Sequence, residues 1–337
     1  MLYTNEKLEQ LRHRWTTKQG KALVKIIKES RCYLSLSLFK EKVRGLPEAN
    51  DHEVANEIDL RGINLSGFDF RVPIQDGDDG FAEELAILSN IHFEGATLHH
   101  CNFIDGKIHE CHFDQADIAH SNFQNSNIND CLFRESVCIG VNFSGTKFTN
   151  CNFTDATIKD LILGSTLIDQ KTTFGQIFKS EKEGNYHLAS IEYKQIKEMY
   201  KNSSLHETAD RYHYQEMVAK RKIAKLTNPS RWANFIFGDL LCKYGISFTR
   251  VLLSGLFIVF ACAALFFENQ SVQYHADGII ISFWDCLYFS VVTFTTLGYG
   301  DFHATGYMRF VAGVESFVGA ALISLFTVIV ARKLIRD

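Results

Sequence analysis

A repeat of five residues constrains this chain more than any other feature. From residue 91 it divides into the frames IHFEG, ATLHH, CNFID, GKIHE, CHFDQ, ADIAH, SNFQN, SNIND, CLFRE, SVCIG, VNFSG, TKFTN, CNFTD and ATIKD. The third position of each frame is apolar: Phe93, Leu98, Phe103, Ile108, Phe113, Ile118, Phe123, Ile128, Phe133, Cys138, Phe143, Phe148, Phe153 and Ile158. A helix buries a stripe every ~3.6 residues and a strand every second residue, so neither produces this period. A short unit repeated without a slip calls for a solenoid, each turn stacked on the last. Three earlier frames, IDLRG, INLSG and FDFRV, are out of phase with the run. The stretch that interrupts them, PIQDGDDGFAEELAILSN, reads as a loop with a short helix.

The frames over residues 58–170 resemble the pentapeptide-repeat family, whose pattern is roughly A(D/N)LXX. That resemblance implies a right-handed quadrilateral β-helix with four frames per coil. Phenylalanine centres every alternate frame from Phe93 to Phe153, so these rings would build two opposite walls. Cys111, Cys131 and Cys151 would stack in one inward column, roughly 4.8 Å apart at strand spacing. Small buried fillers explain such a column more simply than a metal or redox site.

Composition matters mainly through its unevenness. The chain has 337 residues, 22% of them charged, and a net charge of −4. Before about residue 245 it is polar and mixed; after that charges nearly vanish. No broad basic face for nucleic acid is evident, and no nucleic-acid partner is expected. Of the cysteines, which include Cys32, Cys101, Cys242, Cys262 and Cys286, none forms a CxxC pair. The opening MLYTNEKLEQLRHRW lacks the apolar core of a secretory leader, so a reduced cytosolic setting is expected for this part. Residues 1–57 read as helices and loops, with Leu23, Ile26 and Ile27 at helical spacing and a turn at LPEAN. Residues 171–230 read as two antiparallel helices joined at KNSSLHE, with Tyr186, Leu188, Ile191, Tyr193, Ile196 and Tyr200 as the apolar side.

Residues 231–337 belong in a membrane. An interfacial helix is expected at 231–244, an outer span at 246–267 and an inner span at 308–332, each span long enough for ~30 Å of hydrocarbon. Arg231, Lys243 and Arg250 precede the first span, and Arg332, Lys333 and Arg336 follow the second; no lysine or arginine lies between Arg250 and Arg309. Both termini are therefore expected in the cytoplasm, with 268–307 outside. The segment between the spans is too short to cross twice as helix. A short helix from Phe283 to about Thr295, followed by an extended return, fits it, and such irregular backbone needs protein or a watery path around it.

Thr296-Leu297-Gly298-Tyr299-Gly300, followed by Asp301, resembles the potassium-channel filter signature, usually TVGYG. The resemblance runs from about 246 to 331 and takes in outer helix, re-entrant pore helix, filter and inner helix. It implies that the carbonyls of Thr296, Leu297, Gly298 and Tyr299 line ion sites, with the Thr296 hydroxyl at the inner end and Tyr299 packed outward. Gly298 and Gly300 supply backbone angles barred to other residues. Thr295, Asp301 and Glu315 are the expected filter supports. In the family a tryptophan pair braces the aspartate after the filter, the second making the bond; the matching pair is Tyr288 and Phe289, and Phe289 has no donor. Gly319 matches a gating hinge, with close helix packing as its other reading. Glu315 faces Ser290 or Thr293, or else lies near the outer interface. Glu268, Asp277, Asp285 and Asp301 would make a cation-concentrating mouth or remain ordinary solvated acids.

One filter per chain implies a homotetramer that passes K+ passively, with no cofactor, no metal beyond K+ in the filter and no catalysis. Its expected setting is a bacterial-type plasma membrane, with lipid around the spans and an unidentified cytosolic ligand or protein as the gating signal. No Walker motif, zinc spacing or arginine-every-third-residue span is present. The competing classes are a nonselective cation channel and a membrane-anchored interaction scaffold.

Overall fold

The computed structural model describes residues 2–29, 43, 45–46, 57–75, 82–274 and 281–336. It comprises two compact units, Met1–Ile223 and Ala224–Asp337. Cys32, Asp277 and most of the expected LPEAN turn lie outside the described residues.

The first unit is a parallel β-solenoid. Bridges join residues twenty apart, such as Thr97 to Asp117 and Asp117 to Val137, so four frames make one coil. The fifth position of the frames has positive φ, as at His100 (54°), Asp105 (56°), Asn125 (58°) and Asp130 (55°). That left-handed residue turns the chain at each corner, and short polar side chains and glycine tolerate it best. Two ring columns fill the interior. Phe93, Phe113, Phe133, Phe153 and Phe174 stack at centroid spacings of 5.1, 4.8, 4.5 and 4.8 Å. Phe70, Phe103, Phe123 and Phe143 form the second column, at 4.4, 4.4 and 5.4 Å. Each fully buried ring contributes roughly 1.5–3 kcal/mol of hydrophobic free energy.

The out-of-phase frames join this stack. Asn64 bridges Thr97 and Asp69 bridges Asn102, so 58–70 serve as the first coil. The interruption differs from expectation: Arg71–Gln75 pairs antiparallel with Ala82–Ser89, and Ile87–Ser89 then pairs with Lys107–His109. The alternation of Ala86 and Leu88, both buried, with exposed Ile87 suits a strand on the solenoid wall rather than a helix. Cys111, Cys131 and Cys151 stack inward as expected, buried and free. Their thiols donate to main-chain carbonyls, Cys131 Sγ to Asn129 O at 3.1 Å and Cys111 Sγ to His109 O at 3.3 Å. Burial pushes the Cys101 thiol up to about 11 and Cys138 up to about 12, which suits inert fillers.

Both ends of the solenoid are covered. Helices Asn5–His13 and Lys18–Glu29 lie at the first coil, where Asp59 takes bonds from Arg14 (2.5 and 2.7 Å) and Arg61 (2.9 Å). All three side chains are buried. Helices Tyr186–Asn202 and His206–Ile223 pack on each other at the last coil, with Tyr200 and Tyr212 hydroxyls donating to the carbonyls of Thr172 and Gly175, both at 2.7 Å. Tyr193, Ile196 and Tyr200 are buried there; Tyr186, Leu188 and Ile191 are only half-buried.

The second unit contains two long apolar helices, Phe248–Glu268 and Met308–Ile335. At ~1.5 Å per residue each reaches about 30 Å or more, enough to cross a bilayer. Between them lie the short helix Phe283–Phe294 and an antiparallel pair, Val272–Tyr274 with Phe302–Ala304. The expected interfacial helix is interrupted: Pro229–Ala233 is α-helical and Asn234–Leu240 is a wide π-helical turn. A Cβ on Gly238 would come within 2.5 Å of the Tyr244 ring, so glycine lets the chain fold back there. Trp232, Phe237 and Leu240 are exposed, as an interfacial segment requires.

Candidate functional site

The short helix is fixed at its start by a capping box: Ser282 Oγ accepts from the Asp285 main chain, while Asp285 accepts from Ser282 N at 2.8 Å. Its far end is wedged between the two spanning helices. A Cβ on Gly255 of the outer helix would lie 3.2 Å from the Phe294 ring, and one on Gly319 of the inner helix would collide with the Phe294 carbonyl. Gly319 is therefore needed for close packing, one of its two expected readings. Sequence reasoning passed over Gly255 and Phe294; a small residue inside an apolar span was their only signal.

The return begins at Thr295, whose hydroxyl donates to Val291 O at 2.7 Å. Leu297 N donates to Val292 O at 3.0 Å. Thr296, Gly298 and Gly300 then have φ of 60°, 58° and 80°, with residues of ordinary φ between them. Such alternation lets successive peptide planes present carbonyls to one side. A β-branched residue in the left-handed region is a true outlier, costing about 1–3 kcal/mol, and such strain gathers at functional sites. Residues 296–300 are exposed, and Tyr299 is 68% exposed rather than packed within its own chain. Among the described residues, no main-chain hydrogen bond reaches Gly298, Tyr299 or Gly300.

Behind this return sits Glu315, 2% exposed. It meets the Ser290 hydroxyl of the short helix, and Ser290 Oγ also lies 2.9 Å from Val259 O of the outer helix. Glu315 thus joins all three helices, and the Cys262 thiol lies beside it. Of the expected positions for Glu315, the structure adopts the one facing Ser290. Asp301 accepts from Phe302 N at 3.0 Å, and the Tyr288 phenol faces its carboxylate. Phe289 is buried against Phe266 at 5.1 Å. The donor beside Asp301 therefore comes from the first aromatic of the pair, not the second: Phe289 sits on the side of the helix that packs inward. Among the acids expected at the mouth, Asp285 is engaged in its helix cap and Glu268 ends the outer helix.

Comparison with known proteins agrees with this division. Residues 250–336 match the family model of ion channels. Residues 123–166, 86–115 and 100–134 match models of pentapeptide repeats. No curated protein matches the chain. Similar solved structures include HetL, a pentapeptide repeat protein involved in heterocyst differentiation regulation from the cyanobacterium Nostoc sp. strain PCC 7120. It shows 16% identity and a TM-score of 0.29 over 33% of this chain and 47% of its own. A pentapeptide repeat protein from the thylakoid lumen of Arabidopsis thaliana shows 23% identity and a TM-score of 0.25, over 29% of this chain and 60% of its own. This chain therefore spans less than two thirds of either protein.

Proposed function

We propose that this membrane protein, an ion-channel domain joined to a pentapeptide-repeat solenoid, is one subunit of a homotetrameric potassium-selective channel. The observation that carries the proposal is the return at 296–300: alternating left-handed backbone, exposed, with no main-chain hydrogen bond at Gly298, Tyr299 or Gly300 among the described residues, between two helices long enough to span a bilayer. Irregular backbone at membrane depth is tolerated where it is enclosed by protein or lines a watery path. Four such segments around an axis enclose one another, and their carbonyls can replace the water shell of a potassium ion. Thr296, Leu297, Gly298, Tyr299 and Gly300 supply one quarter of that ring, with Tyr299 packing against the neighbouring subunit. Thr295, Asp301 and Glu315 support it from behind, and no cofactor beyond the permeant K+ is needed. Exposed Leu253, Phe257, Phe310 and Val328 suit contact with lipid.

The distribution of basic residues supports a cytoplasmic position for both termini, hence for residues 1–230, in the plasma membrane. The solenoid unit then stands where a cytosolic ligand or protein can bias the gate. Flux from liposomes containing the purified chain tests the central reading: K+ passes and Na+ does not. Equal flux of both identifies a nonselective cation channel, and absence of flux a membrane anchor for the repeats. Deleting residues 1–170 tests the gating role; currents with unchanged gating would remove it.

A further inference from the structure

We propose that His92, Glu94 and His112, on the wall of the solenoid, form a binding site for a first-row divalent transition-metal ion, zinc foremost, with Glu57 orienting His92. No linear zinc motif announces this set. It arises because His92 and His112 occupy the second position of frames twenty residues apart, which the solenoid stacks directly: the two residues are bridged and their rings lie 4.4 Å apart. Glu94, two residues beyond His92, turns to the same wall. Its Oε1 lies 2.8 Å from His92 Nδ1 and 3.4 Å from His112 Nδ1. The three ligand atoms all lie within 4.8 Å of one another. A tetrahedral zinc ion with bonds of about 2.0–2.2 Å places its ligands about 3.3–3.6 Å apart, so small side-chain rotations close the shell.

Two further observations point to a ligand. Glu94 is 5% exposed, and its Oε2 is buried with no hydrogen-bond partner among the described residues. Such an orphaned carboxylate oxygen costs free energy that a bound cation would recover. The outer nitrogen of His92, Nε2, meets the Glu57 carboxylate. A carboxylate on the far ring nitrogen is the arrangement that fixes the tautomer and orientation of a metal-bound histidine. Two imidazoles and one carboxylate leave a fourth position for water, and the His112 side chain, 33% exposed, provides the way in. Glu57 and Glu94 together balance the charge of a divalent ion. The neighbouring coil shows the contrast: Asp114, twenty residues after Glu94, is already engaged by Arg134. A bound ion would tie the first coils of the solenoid to the segment that enters it.

The test uses the full-length protein in detergent, stripped with chelator and titrated with Co2+ as a visible probe and then with Zn2+. One equivalent of Co2+ per chain should bind with the intense visible absorption of a tetrahedral site, and Zn2+ should displace it. His112→Ala, at the exposed edge of the set, should lower Zn2+ affinity at least tenfold, and Glu57→Gln by about 10–100-fold. His120→Ala, a surface histidine of the same solenoid outside the set, should change nothing. Zn2+ should raise the thermal midpoint of the native chain but not of His112→Ala. Absence of the tetrahedral spectrum, or a spectrum and affinity unchanged in His112→Ala and Glu57→Gln, would overturn the assignment. Because the readouts are binding and melting, the outcome is independent of whether the protein conducts potassium.

Discussion

In the solenoid, the main chain of each coil is satisfied by the next: Phe93, Phe103 and Phe113 donate to the carbonyls of His112, Asn122 and Leu132 at 2.6–2.7 Å. In the return after the short helix, Gly298, Tyr299 and Gly300 have no such bonds among the described residues. Left-handed residues occur in both, at the solenoid corners and at Thr296, Gly298 and Gly300. In the first unit they let the chain close on itself. In the second, at Gly298 and Gly300, they leave main chain without partners among the described residues, between helices whose surfaces are mostly apolar. The same backbone conformation thus builds a self-contained scaffold in one place and, in the proposed channel, a path that neighbouring subunits would complete in the other.

The sharpest way to break that contrast is Gly298→Ala. Alanine in the left-handed region costs about 1–2 kcal/mol, hence about 4–8 kcal/mol over the four subunits of the proposed tetramer. At ~1.4 kcal/mol per decade, potassium flux should fall by about three orders of magnitude or more. The thermal unfolding of the solenoid should not move; a shifted melt with intact flux would reverse the roles given to the two units. Phe123→Ala is the complementary change. It opens a cavity between Phe103 and Phe143 and should cost the solenoid about 3–5 kcal/mol, read as a lowered melting midpoint. The K+/Na+ flux ratio of the folded protein should stay as it was.

Asp59 probes how the solenoid end is sealed. Burial raises its carboxyl, but hydrogen bonds and charge from Arg14 and then Arg61 outweigh that and hold it well below the ordinary carboxylate range. A carboxyl depressed in the folded state stabilises fully above its unfolded value of about 3.9, and that contribution is lost as pH falls toward the folded value. Acid should therefore loosen the N-terminal cap only below about pH 4. Asp59→Asn leaves two buried guanidiniums without their anion and should cost about 3–5 kcal/mol even at neutral pH. Hydrogen exchange at residues 5–29 would report both; equal protection in wild type and variant would remove the buried ion cluster as the seal.

The solenoid was legible because its period is written in every frame: the phase of the phenylalanines alone places both ring columns and the inward cysteines. The antiparallel strands Arg71–Gln75 and Ala82–Ser89 were not, because Glu83-Glu84 and Ala86 favour a helix locally while pairing with Lys107–His109 decides for strand. In the second unit, span positions followed from hydropathy and the return from its glycines. What remained hidden were contacts between side chains distant in sequence. The partner of Asp301 depended on which aromatic of the Tyr288–Phe289 pair turns toward it, a question of helix rotation that the motif does not answer. The His92–Glu94–His112 set is invisible without the twenty-residue coil that brings it together.

The smallest effect concerns the polar contact of the second unit that joins its short helix to the outer and inner helices. Ser290 has a single hydroxyl proton but two acceptors in reach, Val259 O and Glu315. It can serve only one of them at a time, and among the described residues Glu315 Oε2 meets no hydrogen-bond geometry, although the Cys262 thiol lies nearby. Glu315→Gln keeps the length of the side chain and adds two N–H donors, so the three-helix junction should stay joined, with flux within about twofold of wild type. Glu315→Leu keeps the volume but leaves Ser290 without its partner on the inner helix. Ser290 can still donate to Val259 O, so what is lost is the bond to the inner helix, worth about 1 kcal/mol, and the loss should appear as a lowered melting midpoint of the assembled channel and reduced flux. If Leu behaved like Gln, Glu315 would merely fill space behind the return. If Gln behaved like Leu, a carboxyl group specifically, and not just a hydrogen-bonding side chain, would be required at the junction.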